Sequence, residues 1–440
     1  MRDSENFKFS STPEQISNIV RGYMPVLNGY RGIAILLVFL YHCVCLIPEE
    51  PGDLTVAIYE KIMGFGWCGV DAFFVLSGFL ITGILLDNLD KANYLKNFYI
   101  RRIIRIFPVY YLVLILFLGV IRPLTRSYEH PNELDSFQIW YWFYLENLQW
   151  IWQGNFDGGP IAHFWSLAVE EQFYLVYPLL IYLIPRKFLS WFLGIVIIGV
   201  VLYRNWLLLT NPVNFRQLAI YFNTFCRLDS LAIGSLIALW MRSETIIPRL
   251  IRIAPIAMII TSIGLIIIFV IQGGNTIFTV GMDAIILGMD SIIFTLLGIF
   301  FGSLIVLSIT KPQNSLLIRV LNWRPLQGLG IISYGFYVYH VPIMFMLIKI
   351  IYQYTKKYIG QYLILSHLMA ALSAGILTLA VSLLSWYFLE QPFLKLKTYF
   401  SSQQEDNLSV FKSNYSGCDK QVETRTGIGF QVIVPAKKSD

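Results

Sequence analysis

Residues 27–42 read Leu-Asn-Gly-Tyr-Arg-Gly-Ile-Ala-Ile-Leu-Leu-Val-Phe-Leu-Tyr-His and open the first long apolar segment of the chain. An α-helix turns by about 100° per residue, so eleven steps bring Arg31 and His42 to within about 20° of one face. The two residues would lie about 16 Å apart along the helix. This spacing predicts Arg31 at a membrane edge and His42 within the apolar layer, where an imidazole needs a partner or a function.

The composition indicates a membrane protein. Of the 440 residues, 56% are hydrophobic and 14% are charged, whereas soluble domains carry about 25% charged residues. We predict an all-α polytopic membrane protein with ten spans, near 32–47, 65–86, 106–122, 164–184, 189–209, 219–240, 253–272, 283–309, 325–351 and 362–389. The aromatic stretch 137–152 is predicted to be an interfacial or re-entrant segment rather than another crossing.

The loop charges predict the orientation. Loops on the side of the N-terminus hold 13 Lys and Arg residues, and the opposite loops hold five. The positive-inside rule then places both termini in the cytoplasm. We divide the chain into a cytoplasmic segment (1–24), a transmembrane domain (25–395) and a cytoplasmic, disordered tail (396–440). The net charge of +6 is spread over short loops and predicts no binding of nucleic acid.

The second predicted span carries Asp71, Ser77 and Gly78 within Gly69-Val70-Asp71-Ala72-Phe73-Phe74-Val75-Leu76-Ser77-Gly78-Phe79. Asp71 and Gly78 are seven residues apart and therefore share a helix face. Small residues allow a backbone or a ligand to approach closely. Ser77 and Gly78 thus mark either a ligand contact or a helix-packing notch.

The loop after this span contains Arg101, Arg102 and Arg105. A helix starting here would gather their guanidinium groups, because the residues are three and four positions apart. Arginine forks suit phosphate groups. The alternative is an ordinary basic anchor that contacts anionic lipids.

A polar stripe opens the fourth predicted span. His163, Ser166 and Glu170 stand at i, i+3 and i+7, on one helix face. A carboxylate can orient an imidazole and stabilise its charged form. We therefore expect Glu170 to orient His42. For the adjacent Glu171, structural pairing with a neighbouring helix is the alternative to a functional role.

Two later segments also carry polar groups. Arg227 and Asp229 are predicted to form ion pairs with other helices. Tyr337 and His340, at i and i+3, either bind a sugar-like substrate or hydrogen-bond between helices.

Together these motifs resemble acyltransferase family 3, the membrane proteins that include O-antigen O-acetylases. The matching positions follow the family order over residues 25–395. They are Arg31-x10-His42, Gly69-Val70-Asp71 through Phe79, Arg101-Arg102-x2-Arg105 with Pro108, Trp165-Ser166-Leu167-x2-Glu170-Glu171, Arg227-Leu228-Asp229, Ser333-Tyr334-x2-Tyr337-x2-His340 and Glu390-x-Pro392.

The resemblance implies an acyltransferase family 3 bundle and an acyl-CoA donor, usually acetyl-CoA, with no metal. Its catalytic positions correspond to Arg31 and His42, which we complete with Glu170. We expect the donor at Arg101, Arg102, Arg105 and Ser77. We expect the acceptor, a hydroxyl of a glycan or glycolipid, at Asp71, Ser166, Tyr337 and His340.

The sequence departs from the family pattern in two places. Asn28 stands where relatives often have Asp, and either residue can cap a helix. The sequence also lacks the extracytoplasmic hydrolase-like domain of some relatives. We therefore expect transfer to finish in the membrane domain or on a separate protein.

Several alternatives stay open at this point. His42 acts either as general base on the acceptor hydroxyl or as a transient acyl carrier. The competing functions are a transporter or flippase, a haem or quinone protein, and a purely structural membrane protein. We found no convincing pair of histidines for haem ligation. The expected location is the inner membrane, in contact with lipids, and homo-oligomerisation is left open.

Overall fold

A computed structural model describes residues 12–46, 54–121, 133–156, 159–271, 290–359 and 362–396. The predicted tail lies outside these residues apart from Leu396. The α-helices are α1 (Pro13–Ile19), α2 (Val26–Cys45), α3 (Leu54–Gly64), α4 (Gly69–Asn88), α5 (Tyr94–Ile115), α6 (Glu133–Trp142), α7 (Glu146–Gln153), α8 (Trp165–Leu183), α9 (Arg186–Thr210), α10 (Val213–Phe222), α11 (Thr224–Trp240), α12 (Ile247–Ile271), α13 (Asp290–Thr310), α14 (Leu316–Leu321), α15 (Arg324–Ile331), α16 (Ser333–Ile359), α17 (Leu363–Ser385) and α18 (Gln391–Lys395).

The described part of the chain is mostly helical and contains no strand, which confirms the predicted fold class. Short 3₁₀ segments join α3 to α4 and precede α8, and π-helical turns follow α5 and α17. The aromatic stretch 137–152 forms parts of the short helices α6 and α7 rather than one long crossing helix.

Eight helical segments are long and apolar enough to cross a membrane, counted over the described residues. A ninth arises if α15 and the first part of α16, which meet at a bend of 77°, form one broken span. The predicted fourth span is helical, as α8, but does not belong to this group. Helix α8 is too polar for this group because it contains Glu170, Glu171 and Gln172.

Small residues bring α4 and α11 into close contact. A Cβ atom on Gly78 would lie 2.0 Å from the carbonyl oxygen of Leu231, and one on Gly234 would lie 1.9 Å from that of Val75. Only glycine permits such a backbone approach. The packing notch predicted at Gly78 is therefore present.

Two ion pairs tie the buried faces of these helices together. Arg227 on α11 donates to Asp71 on α4 at 2.8 Å, and Arg204 on α9 donates to Asp229 on α11 at 2.6 Å. All four side chains have no solvent exposure. A buried charge needs such a partner, so this arrangement confirms the predicted inter-helix pairing of Arg227 and Asp229.

The start of α2 is also packed through glycines. A Cβ atom on Gly29 would lie 1.9 Å from the carbonyl oxygen of Leu321, and one on Gly330 would lie 1.8 Å from that of Asn28. Asn28 lies inside α2 and its Nδ2 donates to the Tyr23 hydroxyl, so it does not cap the helix as expected. The close crossing of α2 with α14 and α15 positions Arg31, one turn further along.

Candidate active site

Three arginine side chains converge on one cavity near the start of α2. Arg31 from α2, together with Arg102 and Arg105 from α5, lines this space of about 390 Å³, which we call the basic cavity. The Arg102 guanidinium lies 5.4 Å from the centre of the Tyr174 ring, close enough for a cation–π contact. Helix α5 already begins at Tyr94, so the arginines stand on a helix rather than in the predicted loop.

A carboxylate faces the same cavity. Ser77 Oγ donates to Glu170 Oε1 at 2.5 Å, and the Tyr174 hydroxyl lies 2.7 Å from Ser77 Oγ. Ser77, Glu170 and Tyr174 all line the basic cavity. Glu170 therefore shares the basic cavity with the three arginines.

His42 lines a second space of about 370 Å³, which we call the histidine cavity. His163 and Glu60 also line it. The other walls are largely aromatic and are formed by Tyr41, Trp67, Phe156, Trp165, Tyr221 and Phe222. A mostly apolar wall with a few polar groups is typical of a small-molecule site.

Val70 and Tyr337 line both cavities and stand between them. The Tyr337 hydroxyl donates to the backbone oxygen of His163 at 2.8 Å and lies 2.5 Å from Ser166 Oγ. These bonds fix the position of the phenol ring between the two cavities. Arg31 and His42 thus project from one helix into two adjoining cavities.

Residues 25–387 match a family model that is described as an acyltransferase domain. The chain belongs to acyltransferase family 3. No solved structure matches it significantly.

This family 3 chain is similar to two curated proteins. The peptidoglycan O-acetyltransferase OatA of Listeria monocytogenes is 27% identical over 428 residues, which are 90% of this chain and 60% of that protein. The O-acetyltransferase OatA of Staphylococcus aureus is 26% identical over 393 residues, 85% of this chain and 57% of that protein. The chain thus spans about 60% of the length of these relatives.

The predicted contact between Glu170 and His42 is not formed in this acyltransferase domain. Glu170 accepts from Ser77 in the basic cavity, whereas His42 Nδ1 contacts the backbone oxygen of Val38 and His340 Nε2. Of the predicted stripe, Ser166 and Glu170 on α8 line the basic cavity, whereas His163, which precedes α8, lines the histidine cavity.

Asp71 and Arg101 also differ from expectation. Asp71 was predicted to bind the acceptor, but it is fully buried in the ion pair with Arg227. Arg101 was grouped with the donor-binding arginines, but only Arg102 and Arg105 line the basic cavity. On a helix, Arg101 points about 100° away from Arg102, which explains the difference.

Among the predicted acceptor residues, Ser166 and Tyr337 line the basic cavity. His340 has no solvent exposure and contacts His42. It is therefore a neighbour of His42 and not part of a surface that a substrate touches. The role of the cavity-lining residues stays a prediction.

Sequence reasoning missed a cluster of three histidines. The ring centres of His42 and His340 are 4.8 Å apart, those of His163 and His340 are 5.0 Å apart, and those of His42 and His163 are 6.3 Å apart. The sequence predicts no convincing pair among the five histidines. Over the described residues, no three His, Cys, Asp or Glu side chains are arranged to hold a metal ion. The only sequence signal was the presence of His163 and His340 in two polar motifs.

Glu146 on α7, which lies outside the spanning segments, is a further buried acid. It has no solvent exposure, and neither carboxyl oxygen has a hydrogen-bond partner among the described residues. Burial raises the pKa of Glu146 from 4.5 to about 8. Glu146 belongs to none of the motifs predicted from the sequence.

Proposed function

We infer that the protein is a membrane O-acyltransferase that transfers an acetyl group from acetyl-CoA to a hydroxyl of a glycan or glycolipid. The observation that carries this proposal is the meeting of a basic cavity and an aromatic, histidine-containing cavity at Val70 and Tyr337. Family membership supports acyl transfer, and the names of the two relatives support O-acetylation.

The basic cavity suits the donor. Arginine guanidinium groups bind phosphate oxygens through charge-assisted hydrogen bonds, often two at a time. We assign the phosphates of CoA to Arg102 and Arg105, with Arg31 deeper along the path towards His42. The loop charges support a cytoplasmic position for this side, where acyl-CoA is available, with both termini on that same side.

The histidine cavity suits the acceptor. Aromatic side chains such as Trp67 and Trp165 offer flat apolar surfaces against which a sugar ring can stack, and Glu60 adds a carboxylate that can accept from hydroxyl groups. The Listeria relative is named for peptidoglycan, which makes a glycan hydroxyl our choice of acceptor. We place this acceptor on the extracytoplasmic side of the inner membrane.

His42 is the residue that performs the transfer in this scheme. Its Nε2 takes the proton of the acceptor hydroxyl while the oxygen attacks the thioester carbonyl. The C–S bond then breaks, the sulfur takes the proton back from His42, and the products are an ester and free CoA. In the alternative, Nε2 attacks the thioester carbonyl, the C–S bond breaks and the CoA thiolate leaves. The acceptor hydroxyl then attacks the acyl-histidine, the C–N bond breaks, and the hydroxyl proton goes to the thiolate to give free CoA.

The test is acetyl transfer by the purified protein in lipid nanodiscs. We expect His42→Ala to lower the rate of acetyl transfer by at least about 100-fold, the range expected for loss of a general base, at unchanged expression. His367→Ala is the matched control, because His367 is a buried histidine that packs against Tyr59 and Tyr352 instead of lining either cavity. Near-normal transfer by His42→Ala would refute the proposal.

The two routes and the transporter alternative give different results in related assays. A labelled His42 peptide, trapped by rapid quenching with labelled acetyl-CoA and no acceptor, would identify the acyl-histidine route. Uptake of a glycan by proteoliposomes without acetyl-CoA would favour a transporter.

A further inference from the structure

His340 stands directly behind His42. Helix α16 carries it against α2, where its Nε2 lies 3.3 Å from His42 Nδ1 and the two ring planes meet at 79°. His340 has no solvent exposure, while His42 is half-buried and lines the histidine cavity. The contact therefore joins a fully buried imidazole to the one that lines the cavity.

Hydrogen bonds to backbone oxygens determine where the ring protons lie. His340 Nδ1 is 2.5 Å from the oxygen of Tyr337, and His42 Nδ1 is 2.8 Å from the oxygen of Val38. A carbonyl oxygen only accepts, so each Nδ1 must carry a proton. In a neutral buried imidazole the other nitrogen is then unprotonated.

With these proton positions, the hydrogen bond between the two histidines runs from His42 to His340. The unprotonated Nε2 of His340 accepts from the Nδ1–H group of His42, which it shares with the oxygen of Val38. Consequently, the remaining nitrogen of His42, Nε2, keeps its lone pair. A base or nucleophile needs this lone pair.

We propose that His340 is a positioning residue that, together with the oxygen of Val38, holds the His42 ring in the Nδ1–H tautomer, with Nε2 free to act in the histidine cavity. This inference rests on the proposed function of His42. When His42 takes a proton, the hydrogen bond that its Nδ1–H group donates becomes charge-assisted. The lone pair of His340 Nε2 is one of the acceptors of that bond. If His340 is removed, the Nδ1–H group of His42 has one acceptor, the oxygen of Val38, instead of two.

Two substitutions separate this role from simple packing. In His340→Gln the side-chain amide oxygen reaches the position of the original Nε2, so an acceptor for His42 is retained. In His340→Asn the shorter amide reaches only the position of Nδ1, next to the Tyr337 oxygen. We expect His340→Asn to lower kcat by about 10–100-fold, as for other groups that orient a histidine, with His340→Gln within about threefold of the wild type. Equal kcat values for the two variants, both near wild type or both strongly reduced, would overturn the inference.

A second readout does not depend on turnover. In the protein labelled with ¹⁵N-histidine, the His42 signals are assigned by their loss in His42→Ala. We expect wild-type His42 to show a protonated Nδ1 and an unprotonated Nε2, and we expect His340→Asn to shift this population while His340→Gln preserves it. A protonated Nε2 in the wild type, or an unchanged signal in His340→Asn, would refute the role of His340. If the wild type transfers no acetyl group, the proposed function fails while these signals still test the tautomer.

Discussion

At the scale of single residues, the arginines of α5 have neighbouring positions but different surroundings. Arg102 lines the basic cavity and Arg101 does not. A charge-assisted hydrogen bond contributes about 1.5–3 kcal/mol, which corresponds to roughly 10- to 100-fold in affinity. We predict that Arg102→Ala raises the KM for acetyl-CoA by about tenfold or more, with a smaller change in kcat.

Arg101→Ala is the matched control for this measurement. It removes the same charge one position away, so a general electrostatic effect at the membrane surface would change both variants alike. We expect its KM to stay within about twofold of the wild type, since the side chain lies outside the cavity. Similar KM values for both variants would contradict the assignment of Arg102 to the donor site.

Glu146 gives a residue-scale prediction about pH. Because the pKa of folded Glu146 is about 8, the folded protein keeps this proton between pH 4.5 and 8 while the unfolded chain releases it. The free energy of unfolding therefore falls as pH rises through this window, by up to about 1.4 kcal/mol for each pH unit. Glu146→Gln lacks this titration. Thermal unfolding at pH 5 and pH 8 should show a smaller loss of stability for the variant, and parallel losses would contradict the buried, protonated acid.

At the scale of helices, the crossing of α4 and α11 decides the positions of Val70, Ser77 and the ion pair of Asp71. We predict that Gly78→Ala lowers the melting temperature markedly, because its Cβ would lie 2.0 Å from the Leu231 oxygen and the helices would have to separate. Ser77, which lines the basic cavity, is the residue next to Gly78 on α4. A shift of this helix should therefore lower acetyl transfer together with stability.

Gly194→Ala on α9 provides the comparison. A Cβ atom there meets no other atom within 4 Å, and alanine is favoured over glycine in a helix by about 0.8–1 kcal/mol. Its melting temperature should equal or exceed that of the wild type. A Gly78→Ala protein as stable as Gly194→Ala would show that the close crossing does not limit stability.

Helix periodicity explains what could be predicted from the sequence and what could not. The eleven-residue spacing correctly indicated that Arg31 and His42 face one interior, and the three-residue spacing correctly joined Arg102 to Arg105. The contact of His340 with His42 links residues 298 positions apart, and it depends on how α16 bends and packs against α2. Spacing along one helix contains no information about that packing. The sequence therefore predicts Glu170 as the partner of His42, whereas the partner in the structure is His340.

At the scale of the whole molecule, two cavities of different chemistry meet inside one helical bundle. Charged arginines line the first, aromatic rings and histidines line the second, and Val70 and Tyr337 stand between them. In the proposed function, the acyl group therefore passes from the basic cavity to His42 while CoA stays on the cytoplasmic side. Donor and acceptor should then react from opposite sides of the membrane.

Proteoliposomes with a glycan acceptor trapped inside and acetyl-CoA added only outside test this claim most directly. Molecules whose basic cavity faces outward should acetylate the trapped glycan, and His42→Ala vesicles should not. Acetylation that occurs only when acetyl-CoA and the glycan share one compartment would contradict transfer between the two cavities.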